Sequence, residues 1–165
     1  MRPQAITRSF LLEYQGQINI VPWEEDPIDA DYDPWVAADQ ADQVASKSGI
    51  RIDSTKELSW VAINENDDVI GALWSCFSIR DTDDIGDQSV YDFDVAVDPE
   101  WRSGRLGLQL IDHAIDDFRS HQSDFPDAFA RVWVVNPKLV RVLENRYEFE
   151  IESQYSDGSA HMIFK

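Results

Sequence analysis

The sequence predicts a mixed α/β fold. Three observations carry that reading. Strand-spaced and helix-spaced apolar patterns alternate along the chain, a β-branched strand at 89–97 runs almost directly into an apolar helix, and the last segment reads as a hairpin. The 165 residues suit one domain, 1–165, with a full core. A hydrophobic share of 43% and an aromatic share of 12% fit a globular chain and not a disordered one.

In chain order, "SFLLEY" and "QINIVPW" are apolar enough for a first strand. An acidic stretch follows, and from Pro34 it reads as a helix ending near Gly49. Pro in the first turn and Gly just past the end are the expected punctuation. "LSWVAINENDDVIGALWSCFSI" reads as two strands joined at "NENDD". "DTDDIGDQ" reads as a polar loop and "SVYDFDVAV" as the next strand. Residues 104–119 form a helix with Leu106, Leu110, Ile111, Ala114, Ile115 and Phe118 on one face. "FARVWVV" reads as a buried strand and "PKLVRVLENRY" as a helix opened by Pro. "FEIESQY" and "SAHMIF" close the chain as a hairpin around "SDG".

Charge is the strongest compositional signal. Asp and Glu number 32 against 14 Lys and Arg, a formal net charge of -18 spread along the chain. Such a surface repels nucleic acid and anionic membranes. It also stays soluble where salt screens charge, so the composition reads as that of a halophilic protein. No apolar run is long enough to span a bilayer, and the N-terminus lacks the apolar core of a secretory signal. The lone Cys76 reads as a buried structural thiol. With no partner for an intrachain disulfide, a cytoplasmic location is expected.

The segment "VAVDPEWRSGRLGLQL" concentrates the chemistry. A strand feeding a helix N-terminus aims unpaired backbone N–H groups at one point, and the macrodipole adds positive potential there. Small residues let an anion approach the backbone, while Arg102 and Arg105 add full charges. The segment therefore reads as a pyrophosphate cradle inside a repelling surface. A Rossmann-type nucleotide site fits poorly, because there is no G-x-G-x-x-G and no following acidic ribose ligand in a βαβ unit.

"VAVDPEWRSGRLGLQLID" resembles motif A of the GNAT superfamily of acyl-CoA-dependent N-acetyltransferases. Pro99, Trp101, Arg102, Gly107, Leu110 and Ile111 match that motif. "VNPKLVRVLENRYEFE" resembles motif B, and "WVAINENDDVIGALW", with Gly71, looks like the family's strand hairpin ahead of motif A. The resemblance implies a mostly antiparallel sheet with a central splayed parallel strand pair and helices on both faces. It also implies acetyl-CoA as co-substrate. Its pantetheine would pair with the backbone of Val95, Ala96 and Val97. Its pyrophosphate would meet Arg102, Ser103, Gly104, Arg105, Leu106 and Gly107. Asn136 matches the motif-B asparagine and is expected to contact the cofactor or order the splay.

Three positions depart from the family pattern. Arg105 stands where the first motif-A Gly belongs, Leu143 where a general-acid tyrosine is frequent, and Glu148 where the motif-B Gly belongs. Tyr147, one helical turn beyond Leu143, is the nearest substitute acid. For the base, period two places Asp92 and Asp94 on one strand face, and two adjacent carboxylates raise one pKa. Asp94 lies nearer the splay and is the first choice. His113, His121 and His161 read as structural, without metal-ligand spacing. Trp23, Trp35 and Trp60 read as core or lid, and the acidic stretch at 24–33 would attract a cationic amine. The expected activity is acetyl transfer to a small-molecule or peptide amine by direct attack, with no metal, nucleic acid or membrane involved; a homodimer is compatible. The alternative is a GNAT-fold module that binds acyl-CoA or a partner with little or no turnover.

The charge reading yields a direct expectation. Self-repulsion at net charge -18 destabilises the native state in dilute buffer. Thermal melts should therefore shift clearly upward in molar potassium chloride, and a melting temperature independent of salt would remove the halophilic reading.

Overall fold

The computed structural model describes residues 18–25, 32–82 and 86–165, with all their side chains except those of 79–82, 86–88 and 102–104. The strand expected at "SFLLEY" and the acidic residues 26–31 lie outside the described residues. The elements are β1 (Asn19–Pro22), α1 (Pro34–Lys47), β2 (Glu57–Ile63), β3 (Val69–Thr82), β4 (Gly86–Val97), a 3-10 turn (Pro99–Gly104), α2 (Leu106–Gln122), β5 (Phe129–Val134), α3 (Pro137–Tyr147), β6 (Glu150–Gln154) and β7 (Ala160–Phe164). The strands form a seven-stranded sheet in the order β1-β2-β3-β4-β5-β7-β6. β4 and β5 are parallel, in register from Val90↔Phe129 to Phe93↔Val132, and both strands run on beyond that register. β1–β2, β5–β7 and β6–β7 are antiparallel. This is the mixed, mostly antiparallel sheet that the sequence predicts. No helix among the described residues is long and apolar enough to cross a membrane.

The chain divides into two compact units. The first comprises Met1–Trp74 and Val95–His113. Within it, Asp33 caps α1 by accepting from the Trp35 and Val36 amides at 3.0 and 3.3 Å. Pro34 fills the first turn, and Gly49, at φ +72°, follows the end. The stripe Ala37, Ala41, Val44 and Ala45 packs on Val61, Ile63, Ala72, Trp74 and Ala96. Small residues on that stripe let the helix lie close to the strands. The opposite face of β3 meets α2. A Cβ on Gly71 would stand 3.1 Å from Leu110 Cδ1 and 3.2 Å from Leu106 Cδ2, so the packing itself selects glycine. Helices thus cover both faces of these strands, as expected.

The second unit comprises Ser75–Asp94 and Ala114–Lys165. Its core is aromatic: Phe118 meets Phe164 edge-on at 6.0 Å, and Phe149 packs on Phe164 at 5.2 Å between centroids. Asn136 caps α3 by accepting from the Lys138 amide at 3.0 Å. The β6–β7 turn needs glycine twice over. Gly158 has φ +87°, and a Cβ there would lie 2.6 Å from Pro137 Cγ.

Four readings need correction. β3 and β4 extend through Asp81 and Thr82 and through Gly86 to Gln88, where a loop was expected. Backbone ladders can continue under polar side chains, so polarity alone misplaces a hairpin end. α2 starts at Leu106 and not at residue 104, because Pro99–Gly104 form a tight turn of their own. Cys76 is half-buried, not buried. β5 is not buried throughout, since Trp133 is exposed.

Glu148 ends α3 in the left-handed region, at φ +60°, with the Phe149 amide donating to the Leu143 carbonyl at 3.1 Å. This explains the family glycine at that position, because a Cβ there costs about 1–2 kcal/mol. Glu148→Gly should be more stable than Glu148→Ala by about 1 kcal/mol in denaturant melts. Both variants lose the carboxylate, so the difference isolates backbone strain, and equal stability would refute it.

Candidate active site

The first unit holds the strand–turn–helix segment. Asp98 organises it. Its amide donates to the Ile70 carbonyl at 2.8 Å, its carbonyl accepts from the Trp101 amide at 2.8 Å, and its Oδ1 accepts from the Glu100 amide at 3.1 Å. Lys47 Nζ stands 3.5 Å from Asp98 Oδ2. Ser48 Oγ donates to the Val97 carbonyl at 2.8 Å, which ties the end of β4 to the end of α1. Of the expected pantetheine strand, Ala96 and Val97 are buried and Val95 is half-buried. Arg102, Ser103 and Gly104 lie in the 3-10 turn.

Arg105 closes that turn at φ +62°, ψ +10°, the conformation for which glycine is suited. Its side chain is exposed, so it turns outward. Its carbonyl accepts the Gln109 amide at 3.1 Å and starts α2. Leu106 is buried against β3, and the first turn of α2 contains no acidic residue. The leading amides of α2 have no partners within the helix. Gly107 is informative. Within 4 Å a Cβ there would meet only Val97 Cγ2, at 3.7 Å, an ordinary contact. Among the described residues, no packing contact demands glycine there. An anion at a helix N-terminus needs close approach to the backbone.

The second unit carries the carboxylates. Alternation along β4, β5 and β7 places Asp92, Asp94, Arg131, Trp133, His161 and Ile163 on one sheet face. Asp94 is only 5% exposed. Asp92 is paired in register with Arg131, and Trp133 with His161. The Arg131 guanidinium stands 3.1 Å from Glu152 Oε1. The His161 pKa lies below the ordinary imidazole value, first because of burial and then because of the Arg131 charge; Glu152, Asp92 and Asp94 oppose that shift.

Sequence reasoning set His161 aside and did not single out Arg131, Trp133 or Glu152. Their meeting depends on strand register, which spacing along the chain does not encode. The His113 ring packs tilted against Trp60 at 4.4 Å, and the His121 ring stacks on Phe77 at 5.0 Å between centroids. Trp23 donates to the Pro34 carbonyl at 2.8 Å and packs on the core, while Trp35 is exposed. Leu143 is fully buried in α3. Tyr147 is half-buried, with the Arg146 guanidinium 5.9 Å from its ring centre. Asn136 serves as the α3 cap described above. Among the described residues, no three His, Cys, Asp or Glu side chains are grouped to hold a metal.

The sequence matches the Acetyltransferase (GNAT) family over residues 10–149. No curated protein matches it. A tyrosine-to-phenylalanine variant of the toxin AtaT, bound to the C-terminus of the antitoxin AtaR and acetyl-CoA, has a similar structure. It is 14% identical, covers 90% of this chain and 92% of its own, and gives a TM-score of 0.58. Arabidopsis thaliana NAA60 in complex with acetyl-CoA is also 14% identical, over 89% of this chain and 97% of its own, with a TM-score of 0.57. AtaT complexed with acetyl-methionyl-tRNAfMet is 13% identical, over 87% and 93%, with a TM-score of 0.55. At these identities the likeness is one of fold.

Gly107 separates ligand from fold. Gly107→Ala should leave the melting temperature unchanged or higher, since alanine favours a helix by up to about 1 kcal/mol. The same change should weaken acetyl-CoA binding about tenfold or more by calorimetry, because the methyl group occupies the anion's place. Unchanged affinity would show that the space at Gly107 is not the phosphate site.

Proposed function

The chain belongs to the GNAT family of acetyltransferases, and we propose that it moves an acetyl group from acetyl-CoA to a primary amine by direct attack. The turn and helix start around Gly107 carry this reading: an anion-receptive backbone where a Cβ would meet no tight contact among the described residues, and no acidic residue in the helix's first turn. In it, the backbone amides of Arg102, Ser103, Gly104, Arg105, Leu106 and Gly107 receive the pyrophosphate, and an arginine guanidinium can fork onto its oxygens. The backbone of Val95, Ala96 and Val97 receives the pantetheine, and Asn136 orders the start of α3 in motif B.

Asp94 directly precedes Val95 in β4, so the base is one residue from the pantetheine strand. Asp94 takes a proton from the acceptor ammonium, directly or through water, with Asp92 as the second carboxylate. The neutral amine attacks the thioester carbonyl carbon. The N–C bond forms, the C–S bond breaks, the nitrogen releases its second proton to water, and the thiolate takes one up. Tyr147 donates that proton in place of the absent motif-B tyrosine. The acceptor is a small-molecule or peptide amine. A surface of net charge -18 repels polyanions, which argues against a tRNA ligand such as the one complexed with AtaT.

A second reading draws on Leu143. Its fully buried, protonless side chain occupies the family's frequent acid position, which favours a module that binds acyl-CoA with little turnover.

Asp94→Asn tests the choice. It keeps shape and removes basicity, and loss of a general base costs about a hundredfold to ten-thousandfold in rate. Wild type should lose activity as the pH falls and the base becomes protonated, whereas Asp94→Asn should be slow throughout with acetyl-CoA affinity unchanged. Full turnover by the variant moves the role to Asp92 or water. Acetyl-CoA binding without turnover across an amine panel moves the assignment to the binding module.

A further inference from the structure

Three aromatic rings gather on the carboxylate-bearing face of the second unit. Trp133 is 38% exposed in mid-sheet, between β4 and β7. The His161 ring lies nearly parallel to it, with centroids 6.1 Å apart and planes at 29°. Tyr155, 48% exposed, meets His161 edge-on at 5.6 Å. Asp92 and Asp94 lie on the β4 side of this floor, and Glu152 is joined to Arg131 beside it.

Burial for its own sake does not explain an indole left open on an interior strand. An apolar ligand would strip water from the carboxylates beside it, and an anion would be repelled by them. A cation is drawn both by the ring faces and by the acids. His161 favours its neutral form, so it adds no competing positive charge at neutral pH.

We propose that the acceptor is a short alkyl diamine, one amine reaching Asp94 while the other, as an ammonium, lies on the Trp133–His161–Tyr155 floor. The geometry sets the length. Asp94 and Trp133 each follow the last parallel pair, Phe93↔Val132, by one residue, and Trp133 pairs with His161. Neighbouring strands lie about 5 Å apart, so the floor extends roughly 5 to 10 Å from the strand of Asp94, within reach of a few methylenes. Trp133 is then a specificity-determining residue. This inference rests on the acetyltransferase reading for its reacting amine, but its binding component can be measured without chemistry.

The test is calorimetric titration of the full chain, without coenzyme, with diaminobutane and with butylamine. Diaminobutane should bind about tenfold or more tightly than butylamine. Trp133→Ala should remove that preference, and Trp133→Phe should keep part of it, with acetyl-CoA affinity the same in all three proteins. Equal binding of the two amines, no measurable diaminobutane binding, or a preference that survives Trp133→Ala overturns the proposal. So does tighter binding of a peptide whose only amine is its N-terminus. If diaminobutane binds as expected but is not acetylated while another amine is, the acceptor assignment is overturned and the acetyltransferase reading stands; if no amine of a panel is acetylated, the acetyltransferase reading fails.

Discussion

Asp98 is the constraint on which the cradle depends. Its amide, carbonyl and carboxylate each hold a different partner, joining β3, the 3-10 turn and α1 to the end of β4. The exposed Lys47 contact contributes little on its own, about 0–1 kcal/mol for such pairs. The backbone and capping bonds do more, because they fix where the strand stops and the helix starts. From there Leu106 and Leu110 seat α2 on Gly71. Truncating a buried leucine of that kind costs about 2–5 kcal/mol. The direction of the helix, and so the aim of its first amides, follows from these packed contacts and not from the glycines of the loop.

The second unit works by parity. A strand shows alternate residues to alternate faces, so Tyr91 and Phe93 enter the aromatic core while Asp92 and Asp94 face away from it. β5 and β7 repeat the division: Val132, Val134, Ala160 and Met162 are buried, while Arg131, Trp133 and His161 are less so. A slip of one residue would put carboxylates into the core, and the cost of burying unpaired charge fixes the register. Stability and chemistry are therefore set by the same alternation.

Much of this was legible in the sequence. Pro34 and Gly49 bounded α1, Pro137 opened α3, and "SDG" marked the last turn, because each punctuator acts locally. Motif order identified the strand–turn–helix segment. The departures at Arg105 and Glu148 find a common physical account: both residues hold φ near +60°, where the family's glycines are unstrained and L-residues are not. What was not legible depended on pairing. No spacing rule brings Trp133 to His161 or Arg131 to Glu152, which are joined by register and a bulged β6 edge. The strand ends at 81–82 and 86–88 were not legible, because backbone ladders ignore the side-chain polarity from which strand ends are judged.

The central claim is that the backbone between Asp98 and Gly107 receives the phosphates of acetyl-CoA. Paired calorimetric titrations with acetyl-CoA and with S-acetylpantetheine, which lacks the pyrophosphate, address it most directly. Charge-assisted hydrogen bonds to phosphate should make acetyl-CoA bind at least about tenfold more tightly. Equal affinities for the two ligands would contradict the account.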